Sequence, residues 1–175
     1  MTTIGVSVAV PDPWGAELQD YRIGLGDPHA AGIPTHITLL PPTEVDERRL
    51  PGILDHLAAA AAVTPAFSVR LRGTGTFRPV SPVVFVNVVQ GIWGCEMLAS
   101  AVRTGPLAVD VDFPYHPHVT VAHHLEEPLL DRAFDEMAGF DCRFDVSQFW
   151  IYEHREGEGW VPAKDFPLAP ADPGY

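Results

Sequence analysis

Two histidines, each followed two positions later by a threonine, are the residues of this chain best suited to chemistry. They are His36 and Thr38 in His-Ile-Thr-Leu-Leu, and His118 and Thr120 in His-Val-Thr-Val-Ala, 82 positions further on. An imidazole titrates near pH 6.5, so two of them at one site can hold opposite protonation states near neutrality, one as base and one as acid. That pairing suits phosphoryl transfer on a ribose cyclic phosphate, where one ring removes a proton from the attacking water and the other protonates the departing ribose oxygen. No metal ion and no cofactor are needed for it. Each threonine hydroxyl, roughly 6 to 7 Å along the strand from its histidine, can hydrogen-bond a non-bridging phosphate oxygen. Strand alternation puts His36 and Thr38 on one face with Leu40 and sends Ile37 and Leu39 to the other; His118 and Thr120 share a face in the same way. One polar pair in an apolar strand is ordinarily a satisfied core group or a wet sheet face. Two copies are what a duplicated unit delivers when its halves meet.

The elements that must position these residues follow from apolar pattern and turn chemistry. Residues 4–10 are apolar and β-branched and read as a buried strand ended by Pro11 and Pro13. Asp12 has the type of an N-cap, with Pro13 opening a helix that Gly24, Gly26 and Pro28 stop. The first motif strand spans 33–40, closed by Pro41-Pro42, and Thr43 then caps a helix to residue 63 that Pro51-Gly52 break or kink. Residues 67–77 and 83–89 form a hairpin about 78–82, 91–104 are a helix, and 115–124 carry the second motif. A helix over 126–140 precedes a second hairpin of 143–153 and 160–168, and the tail Ala-Asp-Pro-Gly-Tyr at 171–175 frays. Each half thus runs helix, motif strand, helix, two strands, with the leading strand completing the set. The expected class is α+β: a bilobed, pseudo-two-fold duplicated fold, two antiparallel sheets flanking a central cleft with helices outside, over 1–175 as a single domain.

Composition narrows the function. With 46% hydrophobic residues the 175-residue chain can build a core, and no apolar run is long enough to span a bilayer. Without a basic leader at its start, the chain is expected in the cytoplasm, as a monomer with no membrane partner. Cys95 and Cys142 follow no metal spacing and are expected as buried thiols. The net charge of -12 opposes long nucleic acid, which is held by phosphate neutralisation along a basic surface. A small phosphate ester needs only local donors.

Three stretches, His-Ile-Thr-Leu-Leu-Pro-Pro-Thr from residue 36, Gly-Thr-Phe-Arg-Pro-Val-Ser-Pro-Val-Val-Phe-Val from 75, and Tyr-His-Pro-His-Val-Thr-Val-Ala-His-His from 115, resemble the 2H phosphoesterases, the superfamily of 2'-5' RNA ligase-like proteins and cyclic nucleotide phosphodiesterases. The resemblance runs from residue 4 to about 168 and is carried by the double His-x-Thr. It implies the bilobed fold with the motifs on facing strands, and metal-independent cleavage of a 2',3'-cyclic phosphate or a 2'-5' linkage on a small nucleotide or RNA end. His36 and His118 are then catalytic, and Thr38 and Thr120 bind the phosphate. Many RNA-acting members carry a basic residue shortly after the second motif, where this chain has Ala122-His123-His124. The missing cation and the acidic surface favour a small nucleotide, a short RNA end with a cyclic phosphate, or a non-nucleotide cyclic phosphate over RNA ligation.

Around the motifs, Phe77 and Tyr115 can stack on a base and Arg78 can clamp a phosphate, although all three types also serve as packing or exposed turn residues. Trp93, Trp150 and Trp160 are assigned to packing. A metal reading would draw on His116, His118, His123 and His124, but alternation sends His123 to the face opposite His118. The competing function is a nucleotide-binding module of the same fold without physiological catalysis; two intact motifs favour the enzyme.

Overall fold

Strand β1 (Thr2–Ala9) and the helix after it, α1 (Trp14–Gly24), begin a unit that the chain uses twice. A computed structural model describes residues 1–173, so the last two residues of the tail lie outside the described part. Asp12 does cap α1, its carboxylate accepting the Ala16 N–H at 3.0 Å. Gly15 sits where a Cβ would come within 2.2 Å of the Val10 carbonyl oxygen, so only glycine lets this turn close. β2 (His36–Val45), α2 (Leu50–Ala62), β3 (Phe67–Thr76), β4 (Val83–Gln90), α3 (Ile92–Val102), β5 (His118–His123), α4 (Glu127–Glu136), β6 (Asp141–Val146), β7 (Gln148–Arg155) and β8 (Gly159–Pro167) follow. All pairings of named strands are antiparallel, in two four-stranded sheets ordered β2-β1-β7-β8 and β5-β4-β3-β6.

The α+β, two-sheet, duplicated expectation agrees with this fold, but several local expectations do not. β2 runs through Pro41-Pro42 instead of ending there, because it is an edge strand and the missing N–H groups cost no ladder bonds. Thr43 therefore lies inside the strand, opposite Ile4; Asp46 caps the single turn Glu47–Arg49 that leads into α2, accepting the Arg48 N–H at 2.9 Å, and α2 itself starts without a side-chain cap. Pro51 falls in the first turn of α2, where its lost N–H is free, so nothing is kinked. The strand expected over 143–153 is two strands in two sheets. Burial alternates on even positions through Cys142, Phe144 and Val146, then on odd ones at Phe149 and Ile151, and the slip at Ser147-Gln148 moves the chain from β3 to β1.

The repeat also starts one element earlier than expected: strand, helix, motif strand, helix describes both β1-α1-β2-α2 and β4-α3-β5-α4. In each unit the leading strand pairs with the motif strand, and the motif strand is the sheet edge. The helices cross over, α1 touching β5 and α3 touching β2, so each motif strand is backed by the other unit's helix. One core of Ile4, Val6, Ile37, Val86, Val119 and Phe149, all fully buried, draws on both sheets. Cys95 and Cys142 are buried free thiols. Trp93 is no packing anchor: it is 71% exposed on α3. Among the described residues no helix is long and apolar enough to cross a membrane.

Candidate active site

Both motif histidines open their strands and are held by the same bond. Nδ1 of His36 lies 2.6 Å from the Pro34 carbonyl oxygen, and Nδ1 of His118 lies 2.6 Å from that of His116. A carbonyl can only accept, so Nδ1 carries the proton in each ring and donates it, leaving Nε2 as the nitrogen free for a ligand. The rings are half-buried, and burial lowers both pKa values below the ordinary 6.5. For His36 the Pro34 carbonyl opposes the shift and the charge of Arg22 adds to it. His118 is pushed down to about 4, the His116 carbonyl opposing and the charges of His116 and His36 adding. Both imidazoles are therefore neutral at pH 7.

The threonines are placed by a shared irregularity. Val6 pairs with Leu40 and Ser7 with Thr38, so Leu39 is an extra residue in β2; Val84 pairs with Ala122 and Phe85 with Thr120, so Val121 is the extra residue in β5. Each motif is thus His-x-Thr followed by a one-residue bulge. The bulge breaks the parity expected from alternation: Leu39 and Leu40 both enter the core, as do Val121 and Ala122. It also frees carbonyls on the outer edge of β2, and the second unit takes them up. Tyr115 Oη donates to the Thr38 carbonyl at 2.7 Å, and Arg103 Nε donates to that of Leu39 at 2.6 Å, its guanidinium 5.1 Å above the Tyr115 ring. Burial raises the Tyr115 hydroxyl well above its usual pKa and keeps it a donor.

Two hollows meet at Thr38. A small one of about 80 Å³ on the first sheet includes Ser7, His36, Thr38, Tyr152 and Trp160. A groove of about 750 Å³ on the other side includes Thr38, Phe77, Arg103, Tyr115, His116 and His118. Thr120 shares the strand of His118, half-buried beside Phe85, and lines neither hollow. Phe77 packs edge-on against the His118 ring at 5.0 Å, with Phe85 at 5.1 Å on the same imidazole, so it walls the histidine as well as the groove. Tyr115 lines the groove with its ring while its hydroxyl is spent on Thr38.

Arg78 does not reach the groove. Its guanidinium is held by Glu127 and Asp131, each at 2.8 Å, which neutralises the expected phosphate clamp. The cation in the groove is instead Arg103, at the end of α3; Arg22, 81 positions earlier at the end of α1, is ion-paired with Asp27 at 3.2 Å, and its charge lowers both His36 and His123, with Asp27 opposing it at His123. Among the described residues no three His, Cys, Asp or Glu side chains converge as a metal site; the histidines of the metal reading lie in two pairs, His116 and His118 with ring centroids 5.9 Å apart and His123 stacked on His124 at 3.8 Å. Ser7, Arg103, Tyr152 and Trp160 were not foreseen at the site. Ser7 had a readable signal, as the one polar residue in the apolar run of β1, whereas Arg103 had none, since only the fold brings α3 to β2.

The chain matches the model of the 2'-5' RNA ligase superfamily over residues 10–158, and it belongs to that superfamily, the 2H phosphoesterases. A protein of Oceanobacillus iheyensis is 28% identical over 146 residues, covering 81% of this chain and 84% of the relative. One of Bacillus cytotoxicus is 29% identical over 158 residues, covering 86% and 90%. Each is described as a "putative phosphoesterase". Among solved structures, Escherichia coli LigT complexed with 3'-AMP superposes with a TM-score of 0.66 at 22% identity, over 96% of this chain and 98% of that one. TT0787 of Thermus thermophilus gives 0.66 at 22% over the same shares, and Usb1 of Kluyveromyces marxianus 0.53 at 13% over 95% and 98%. At those identities the likeness is one of fold.

Proposed function

We propose that this chain hydrolyses a 2',3'-cyclic phosphate or a 2'-5' linked phosphodiester on a small nucleotide or short RNA end, without a metal ion. The matched Nδ1-to-carbonyl bonds of His36 and His118 carry the reading, because each presents a free Nε2 and two such nitrogens are what in-line displacement at phosphorus requires. The roles divide by charge. Arg22 remains positive at any working pH and keeps lowering His36, which favours His36 as the neutral base. Burial, the main cause of the low His118 value, disfavours its protonated form, and an anionic phosphate against the ring offsets that; the smaller contributions of His116 and His36 vanish once those rings are neutral, so the phosphate recruits the proton to His118. His36 Nε2 takes a proton from water, the water oxygen bonds to phosphorus, the phosphorus–ribose oxygen bond breaks, and His118 delivers its proton to that oxygen. The hydroxyls of Thr38 and Thr120, engaged by no protein partner among the described residues, hydrogen-bond the non-bridging oxygens where charge accumulates. LigT, which shares the fold, crystallises with 3'-AMP and with phosphate, which supports a small nucleotide as ligand. The acidic surface is the ground for excluding long nucleic acid.

The test uses His36→Asn and His118→Asn, since the Asn amide can still donate to the Pro34 or His116 carbonyl while Nε2 is lost. Each variant should lose about 10² to 10⁴ in kcat/KM on 2',3'-cyclic nucleotides. The double variant should lose little more than the worse single one, because the pair acts as a unit. Activity should survive exhaustive EDTA. A single variant with wild-type turnover, or losses that multiply, would leave the binding-module reading as the better one.

A further inference from the structure

The open face of the second sheet carries, beyond His118, two arginines that the protein leaves without partners. Of the eleven basic side chains, six are ion-paired, Arg49 and Arg103 donate to backbone carbonyls, and Lys164 lies over the Phe166 ring. Among the described residues that leaves Arg72 of β3 and Arg143 of β6, both exposed, with neither an ion pair nor a side-chain hydrogen bond. Arg72 pairs across the strands with Asp141, and Arg143 stands two residues beyond Asp141, so the two arginines are diagonal neighbours on one face, about 7 to 8 Å apart at Cα. The nearby carboxylates are occupied: Arg70 holds Asp141 in two bonds of 2.9 and 2.7 Å, and Asp145 accepts from Ser68 at 2.7 Å. A bulge brings Arg72 into line with His118. Leu71 pairs with Val88 and Thr74 with Val86, so Arg72 and Gly73 together stand opposite the single residue Asn87, and Asn87 pairs with His118. Gly73 takes the left-handed φ of +70° that lets the bulge form. Leu71 and Val88 are buried in the core, so Arg72 and Asn87 face the other way, as His118 does. His118, Asn87 and Arg72 thus form one row across three neighbouring strands, two strand spacings or about 10 Å from end to end. The half-buried Asn87 amide between them has no side-chain partner among the described residues.

We propose that Arg72 and Arg143 form a second phosphate site, which takes the phosphate on the 5' oxygen of the ribose whose cyclic phosphate lies at the histidines. The inference rests on the hydrolytic reading above for the position of that first phosphate. The row from His118 to Arg72 has the length of about one nucleotide, and a guanidinium presents paired N–H donors that match two phosphate oxygens. The positive charge is local, three guanidinium groups against Asp141 and Asp145 in a chain of net charge -12. It holds one further phosphate and offers no basic track for an extended strand. Two sources share this chemistry: the 5'-phosphate of a mononucleotide, and the last phosphodiester of a short RNA end.

The experiment is calorimetry with 3'-AMP, adenosine 3',5'-bisphosphate and the 3'-phosphorylated dinucleotide ApAp, none of which needs turnover. At least one of the two larger ligands should bind about five- to twentyfold tighter than 3'-AMP, as one or two charge pairs at a surface allow, and the gain should shrink as salt is added. Arg72→Gln and Arg143→Gln should each cut that gain severalfold and the double variant should abolish it. None of the three should lower Tm, because neither side chain is bonded in the free protein. Arg132→Gln, which removes one charge from α4, should leave the gain intact. On adenosine 2',3'-cyclic phosphate with and without a 5'-phosphate, the difference should fall in KM, with kcat within about threefold. A gain for ApAp names the RNA end as the source; a gain for the bisphosphate alone names the mononucleotide. Equal binding of all three ligands would overturn the proposal, as would an undiminished gain in the folded double variant. A gain in binding without turnover would sink hydrolysis and leave the phosphate site standing; turnover with no such gain would do the reverse.

Discussion

Replacing His118 by Asn should make the protein more resistant to acid, and by an amount the site geometry sets. The amide of Asn keeps a donor for the His116 carbonyl, so the substitution removes chiefly the titrating nitrogen and the ring's contacts with Phe77 and Phe85. His118 is pushed from 6.5 down to about 4 by burial, so the unfolded chain takes up the proton first. Its stabilising contribution is complete above pH 6.5 and is lost as pH falls through the folded value. For that shift the loss is about 2 kcal/mol at pH 5 and about 3 kcal/mol at pH 4. At pH 7 the variant should be less stable by about 1 kcal/mol, the worth of the lost aromatic contacts. The order should invert on acidification, with the variant ahead by about 2 kcal/mol at pH 4. Urea unfolding of both proteins at pH 7, 5 and 4, with m-values checked for constancy, gives the comparison directly. A stability difference that is the same at all three pH values would mean that His118 titrates as it does in water, and the buried, carbonyl-held imidazole would be wrong. Acidification takes His36 in the same direction, with the Arg22 charge adding to burial.

The pH dependence of turnover tests the same two rings in the presence of substrate. Because both pKa values are lowered in the free protein, the kcat/KM bell should have its acid limb near 4 and its alkaline limb below 6.5, falling tenfold per pH unit above that. A bound phosphate charge at about 4 Å raises a histidine by up to about 3 units at an effective dielectric near 20, so the alkaline limb of kcat should lie 2 to 3 units higher; coincident limbs would contradict a phosphate seated between the rings. Tyr115→Phe should cost about 1 to 2 kcal/mol of stability by stranding the Thr38 carbonyl. It should lower kcat roughly tenfold with KM unchanged, since Thr38 is positioned for the transition state; a change in KM alone would return Tyr115 to the role of a substrate contact.

The motif strands were legible because a period of two is written into His-x-Thr and its apolar neighbours, and the duplicated order of helices and strands followed from turn residues. The bulges at Leu39 and Val121 were not legible, since both positions carry ordinary core residues and the extra residue is defined only against the partner strand. Parity arguments past Thr38 and Thr120 therefore failed, including the one that sent His123 away from His118. The even-to-odd change between Val146 and Phe149 was in the sequence and marks the jump between sheets, yet a continuous run of strand formers hid it. Arg78 lies near a motif along the chain, but side chains reach their partners through space: α4 brings Glu127 and Asp131 to Arg78, while α3 brings Arg103 to β2.

The crossed packing explains how two weakly similar halves hold one site. An edge strand with a bulge presents unpaired carbonyls and has every reason to shift. Here the edge of β2 is fastened by Tyr115 and Arg103, which belong to the segment between β4 and β5, while α1, between β1 and β2, lies against β5. Moving one unit relative to the other would break both carbonyl bonds on β2 and open the core that the sheets share, so the separation of the two Nε2 atoms is set by the packing of the units as a whole. That makes the brace, which lies outside the His-x-Thr residues, as much a requirement for paired acid-base chemistry as the histidines themselves. It also gives each ring a different setting from a shared design, Arg22 behind His36 and the phenylalanines around His118.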